Sequence, residues 1–108
     1  MKTISISSLN GMKISGENFA AITAYDYTFS RLIENSSIEV SLVGDSLGNV
    51  IQGRDSTIPV TVDEMAYHTA AVKRGNNRSL LIADMPFMSY STEVKALDNA
   101  AILMQAGA

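Results

Sequence analysis

Apolar positions follow two rhythms along this chain. Three short runs, FAAITA (19–24), IEVSLV (38–43) and LLIA (80–83), are apolar with little alternation. Strands read this way when both faces are covered, as in a parallel sheet flanked by helices. Elsewhere apolar residues recur every three or four positions, the spacing of one helix face. Phe29, Leu32 and Ile33 form one such set, and Val62, Met65, Ala66, Thr69 and Val72 a second. Val94, Leu97, Ala101 and Met104 form a third.

Polar punctuation sets the boundaries. Asp26 can accept from the first free amides of a helix running from Tyr27 to about Asn35, where Asn35-Ser36-Ser37 breaks it. Thr61-Val-Asp-Glu64 is a capping box, and Gly75-Asn76-Asn77 ends the helix that follows it. Ser91 or Thr92 starts the last helix, with Gly107 at its C-terminal cap. Residues 4–13 suggest an additional helix before the first strand, weakened by Gly11 and Gly16. The segment Gly44 to Pro59 is glycine-dotted and too long for a simple turn, and VIQGRDSTIPV (50–60) within it is expected to form a small hairpin.

The order strand, helix, three times over, predicts an α/β fold with right-handed crossovers and βα units at about 19–35, 38–74 and 80–106. Three parallel strands leave long edges, and no proline lies within them to blunt pairing. A (β/α)8 barrel takes about 250 residues. The chain is therefore expected to be the N-terminal portion of a single larger domain, with a compact flavodoxin-type layer structure, usually of five strands, as the alternative.

Composition narrows the function classes. A hydrophobic content of 46% with 18% charged residues is an ordinary globular balance and excludes a disordered chain. The net charge of −3, with basic residues scattered, offers no footprint for nucleic acid or an anionic membrane. With no cysteine, thiolate metal sites, thiol nucleophiles and disulfides are excluded. No run approaches the ~20 apolar residues of a membrane span, and the N-terminus is too polar for a signal-peptide core. A cytoplasmic location is the expectation.

The candidate chemistry sits in two stretches, SLVGDSLG (41–48) and LLIADMPF (80–87), each placing a carboxylate, Asp45 or Asp84, just past an apolar strand. Parallel strands present such ends on one side of a sheet, where ligands bind. On neighbouring strands the two would lie about 4.8 Å apart. Two bare carboxylates that close repel, and a hard divalent ion such as Mg2+ resolves the conflict with oxygen ligands alone. The competing reading is that each is a cap or turn former, and Asp26 is read as a cap. Ser46 can offer its amide and hydroxyl to a substrate carboxylate, or be a plain turn residue. Gly44 and Gly48 allow close approach of backbone to a ligand, or simply shape the turn. His68, the sole histidine, lies off the apolar stripe and is expected at a surface or interface. Met65, Met85, Met88 and Met104 are expected in the core, and Arg54 and Asp55 as a solvated charge pair, with a lid over the site as the other possibility.

TAYDYTFS (23–30), VGDSLGNVIQG (43–53), DSTIPVTVDEMAYHTAAVKRG (55–75) and LLIADMPFMSY (80–90), in this order and spacing, resemble the ketopantoate hydroxymethyltransferases. The resemblance runs from about residue 3 to the last residue. It implies a (β/α)8 TIM barrel, a Mg2+ requirement and a step of pantothenate synthesis. In that step a hydroxymethyl group passes from 5,10-methylenetetrahydrofolate to 3-methyl-2-oxobutanoate, giving 2-dehydropantoate. By the resemblance, Asp45 and Asp84 are Mg2+ ligands and substrate contacts, and Ser46 binds the keto-acid carboxylate. It also implies a homo-oligomer, often a decamer. The family's lysine, third acidic ligand and general-base glutamate have no counterpart up to Ala108, so no catalytic residue is assigned and the chain alone is expected to be inactive. The rivals are a Mg2+-dependent 2-oxo-acid lyase or mutase of the phosphoenolpyruvate mutase and isocitrate lyase type, a receiver-like module in which Asp45 accepts phosphate, and an inert fragment of a decayed gene.

Overall fold

The computed structural model describes residues 2–108. Its elements are α1 (Ile6–Ser15), β1 (Ala21–Thr23), α2 (Tyr27–Glu34), β2 (Val40–Val43), α3 (Leu47–Val50), α4 (Val62–Gly75), β3 (Leu80–Ala83) and α5 (Glu93–Ala106). The three strands form one parallel sheet in the order β1-β2-β3. Ala21 pairs with Val40, and Val40 with Leu80, so the strands start level. Each strand is laid beside the one before it, as in a barrel. A flavodoxin-type sheet would instead reverse direction and place its first strand between the second and third. The expectation of parallel βα units holds, and the sheet is an open three-stranded one.

Local chemistry explains where the helices begin. Asp26 Oδ1 accepts from the Phe29 amide at 2.8 Å, as the N-cap of α2. At α4 the Glu64 amide donates to Thr61 Oγ1 at 3.1 Å, and the Thr61 amide to Glu64 Oε1 at 2.9 Å, closing the capping box. Thr92 caps α5. The additional N-terminal helix is present with its own capping box from Ser5 and Ser8. The Ile4 amide donates to Arg78 O at 2.7 Å and thereby ties the start of α1 near the entry to β3.

The core lies between the sheet and α4, which packs on β2 and β3 and touches both α2 and α5. Val43, Leu47, Met65 and Val72 are fully buried in it, with Ile33, Leu81 and Leu103 alongside. Several expectations need correction here. On α2 the inward side is Ile33 and Ser30, while Phe29 and Leu32 are exposed. On α5 the contact with the core is Leu103, at 3% exposure; Val94, Leu97, Ala101 and Met104 face outward, Leu97 at 72%. Periodicity identifies an apolar stripe, but it cannot say which neighbour covers it. For the same reason only β2, the central strand, is buried along most of its length, and β1 is exposed throughout. Met65 is a core residue and Met85 packs against the core, but Met88 and Met104 are exposed.

The predicted hairpin over 50–60 does not form. The segment folds as the single turn α3 followed by further turns. Asn49 Nδ2 donates to Arg54 O at 2.8 Å and Gly48 packs against Val60, so the segment is held by turn and side-chain contacts instead of a strand ladder. No helix is long and apolar enough to cross a membrane among the described residues.

Candidate functional site

The parallel order brings three strand ends together on one side of the sheet: Tyr25 after β1, Asp45 and Ser46 after β2, and Asp84 after β3. The β2–β3 ladder continues one residue past the strands, with the Asp84 amide donating to Val43 O at 2.9 Å. The Asp84 side chain then turns back over the end of β2, and its Oδ2 accepts from the Asp45 amide at 3.1 Å. Asp45 and Asp84 are therefore neighbours across the strand ends, joined by a bond from backbone amide to carboxylate that spacing alone could not reveal.

Gly44 makes this packing possible. A Cβ built there would stand 3.2 Å from both Asp84 Oδ2 and Ser46 Oγ. The bare Cα thus lets a carboxylate oxygen and a hydroxyl close on the same point of the turn. Ser46 begins α3 but caps none of its amides. Its Oγ instead lies 2.7 Å from the Tyr25 hydroxyl.

Among the described residues neither carboxylate has a cationic partner. Among the described residues the one ion pair is Arg54–Glu64 at 3.8 Å, away from them. This corrects the expected Arg54–Asp55 pairing. Arg54 and Gln52 both reach Glu64 and fasten the 50–55 turn to the start of α4. The Thr61 amide, donating to the Glu64 carboxylate, is the largest influence lowering its pKa below the ordinary 4.5; burial opposes this, and hydrogen bonds from the Thr61 hydroxyl and Gln52, with the charge of Arg54, assist it.

The donor set suits a hard divalent ion. Asp45 has no protein donor on its carboxylate among the described residues, and Asp84 uses only Oδ2. No group of three or more His, Cys, Asp or Glu side chains is assembled among the described residues. Two carboxylates with open positions for water or substrate oxygens match the habit of Mg2+, which seldom uses an all-protein cage.

Two neighbours of these strand-end residues were not apparent from the sequence. Tyr25 occupies on β1 the place that Asp45 and Asp84 hold near the ends of their strands, and that equivalence was the available signal. His68 is not a free surface residue: its Nδ1 lies 2.7 Å from Tyr25 O. A cavity of about 370 Å³ runs along β1, lined by Ile22, Thr23, Tyr25, Asp26, Phe29 and Ile51 among others. It is largely apolar and includes neither Asp45 nor Asp84, and it adjoins Ser46 through Tyr25.

The family model described as ketopantoate hydroxymethyltransferase matches residues 3–108. Proteins named 3-methyl-2-oxobutanoate hydroxymethyltransferase are 57% identical in Proteus mirabilis, 56% in Colwellia psychrerythraea and 56% in Cronobacter sakazakii. Each alignment covers all of this chain and 41% of the relative, so the chain spans about two-fifths of the length of these relatives. With a match over nearly its whole length, the chain belongs to the ketopantoate hydroxymethyltransferase family.

Proposed function

We propose that this chain supplies the metal- and keto-acid-binding part of an enzyme of pantothenate synthesis. The reaction is transfer of a hydroxymethyl group from 5,10-methylenetetrahydrofolate to 3-methyl-2-oxobutanoate, giving 2-dehydropantoate. The observation that carries this reading is the pair Asp45 and Asp84 at neighbouring parallel strand ends, joined by the Asp45 amide and Asp84 Oδ2 at 3.1 Å. Family membership supplies the reaction class, and the names of the relatives supply the keto acid.

In this reading Asp45 and Asp84 hold Mg2+, and their two charges offset that of the ion. When bound, the ion would act as a Lewis acid on the keto group and make the neighbouring C3 proton easier to remove. Ser46 donates from its hydroxyl to the substrate carboxylate and so fixes which face of the acid is presented. Gly44 keeps the floor of the site open. The fold around it is proposed to be the first three βα units of a (β/α)8 barrel, working in a cytoplasmic homo-oligomer, with a decamer as the family's implied state. A receiver-like module is disfavoured because its strand order would place β1 centrally.

The test uses a chimera in which residues 1–108 replace the matching segment of the Proteus mirabilis relative. Asp45→Asn and Asp84→Asn are each expected to weaken Mg2+-dependent keto-acid binding by at least about tenfold. Calorimetric affinities unchanged in both variants would rule out the shared-metal site. Residues 1–108 alone are expected to form no 2-dehydropantoate, because no residue in them is assigned as the base; sustained turnover by the isolated chain would refute that.

A further inference from the structure

Tyr25 and His68 form a connected set beside the residues assigned above. Tyr25 Oη lies 2.7 Å from Ser46 Oγ, and both groups are partly buried. Behind it, Tyr25 O meets His68 Nδ1 at 2.7 Å. A carbonyl can only accept, so Nδ1 carries the proton and donates. His68 stands on α4, whose Met65, Thr69 and Val72 are fully buried, so the helix is anchored in the core. The imidazole therefore acts as a strut between that helix and the end of β1. On the other side, the Ala24 amide donates to Leu42 O at 3.0 Å and holds the chain before Tyr25 against β2.

The environment of Ser46 gives this set a use. A serine before a helix accepts from an amide of the first turn when its own backbone is extended, and Ser46 precedes α3 with helical backbone. Its side chain makes no cap bond. Its hydroxyl has one proton and two lone pairs to place. Either hydroxyl can donate in this pair, and when the phenol donates to Ser46 Oγ the Ser46 proton is left for an anion. Hydrogen bonds in such a series polarise one another and strengthen the last donor.

We propose that Tyr25, braced by His68, is a positioning residue that aims the Ser46 hydroxyl at the carboxylate of the keto acid. The proposal rests on the role assigned to Ser46 under the proposed function. Tyr25 acts through Ser46, and its own hydroxyl is spent on that bond.

A double-mutant cycle in the chimera tests this by calorimetry of Mg2+-dependent 3-methyl-2-oxobutanoate binding. Tyr25→Phe is expected to weaken binding roughly three- to tenfold, and Ser46→Ala at least as much. The double variant is expected to bind no more weakly than Ser46→Ala alone, because the tyrosine hydroxyl has nothing left to aim. His68→Gln is expected to give a smaller loss that also vanishes in the Ser46→Ala background. If Tyr25→Phe costs as much without the serine hydroxyl as with it, Tyr25 acts independently and the proposal is overturned while the site stands. If the unsubstituted chimera binds no keto acid, the site reading fails and the proposal fails with it. The same comparison can be read on residues 1–108 alone from the Ser46 amide resonance on adding Mg2+ and keto acid. A shift unaffected by Tyr25→Phe would again overturn the proposal.

Discussion

At the scale of single residues, two glycines carry more consequence than their size suggests. A Cβ at Gly44 would press on Asp84 Oδ2 and Ser46 Oγ at 3.2 Å each. Gly44→Ala is therefore expected to disturb the site more than the fold: keto-acid affinity of the chimera should fall by roughly tenfold while the urea midpoint moves little. At Gly48 the balance reverses. A Cβ there would stand 2.6 Å from Cγ2 of Val60, a stiff and buried side chain. Gly48→Ala should cost about 1–3 kcal/mol of stability by overpacking. Combined with Val60→Ala, which removes the opposing methyl, the loss should be less than the sum of the two single changes. Denaturant unfolding of the four proteins measures this. The strand-end positions of Asp45, Ser46 and Asp84 were legible in the sequence because polar residues there stand out against apolar runs. Tyr25 was not, because a tyrosine after a strand looks like core or turn until its hydroxyl is seen against Ser46.

At the scale of elements, the helix starts of α2, α4 and α5 are each held by a side-chain cap. Thr61→Ala removes the acceptor for the Glu64 amide and should cost about 1 kcal/mol. Glu64 adds a pH dependence. Its folded pKa is lowered below 4.5, chiefly by the Thr61 amide, so the carboxylate binds its proton less readily folded than unfolded. That contribution is present above 4.5 and is lost as pH falls through the depressed folded value. Glu64→Gln keeps an acceptor for the Thr61 amide but cannot titrate. Its unfolding midpoint should decline less between pH 5 and pH 3 than that of the unsubstituted chain, a range set by ordinary carboxylate values of about 4. The caps were readable because they are local: three or four consecutive residues determine them. The loop over 50–60 was not, because its path depends on Gly48 meeting Val60 and on Gln52 and Arg54 reaching Glu64, contacts that join separate parts of the chain.

At the scale of the whole molecule, the sheet is open and its flanks are apolar. The accessible surface is 6654 Å² for 11.6 kDa, against about 5,800 Å² for a compact monomer of that mass. The radius of gyration is 14.3 Å, where about 13 Å is usual for this length. The excess lies partly with Ile22, Phe29 and Leu32 on the β1 side and with Val94, Leu97 and Met104 on α5, all exposed. Residues 1–108 alone are expected to self-associate as concentration rises, and Leu97→Glu should shift them toward monomer by burdening one apolar face with charge. Sedimentation velocity over a concentration series tests this. A strict monomer at all concentrations would show that these faces are not adhesive.

The sequence by itself determined the succession of βα units, the capping residues and the two strand-end aspartates, because each depends on neighbours a few positions away or on a simple period. Tertiary structure alone decided which side of each helix is covered, as α5 shows by burying Leu103 and exposing Leu97. It also decided how the site is held together. The carboxylate of Asp84 reaches the amide of Asp45, and His68 on α4 reaches Tyr25 in the loop after β1. Such bonds join groups about 40 positions apart in the chain, and their geometry is set by strand order and helix packing, which no local pattern encodes.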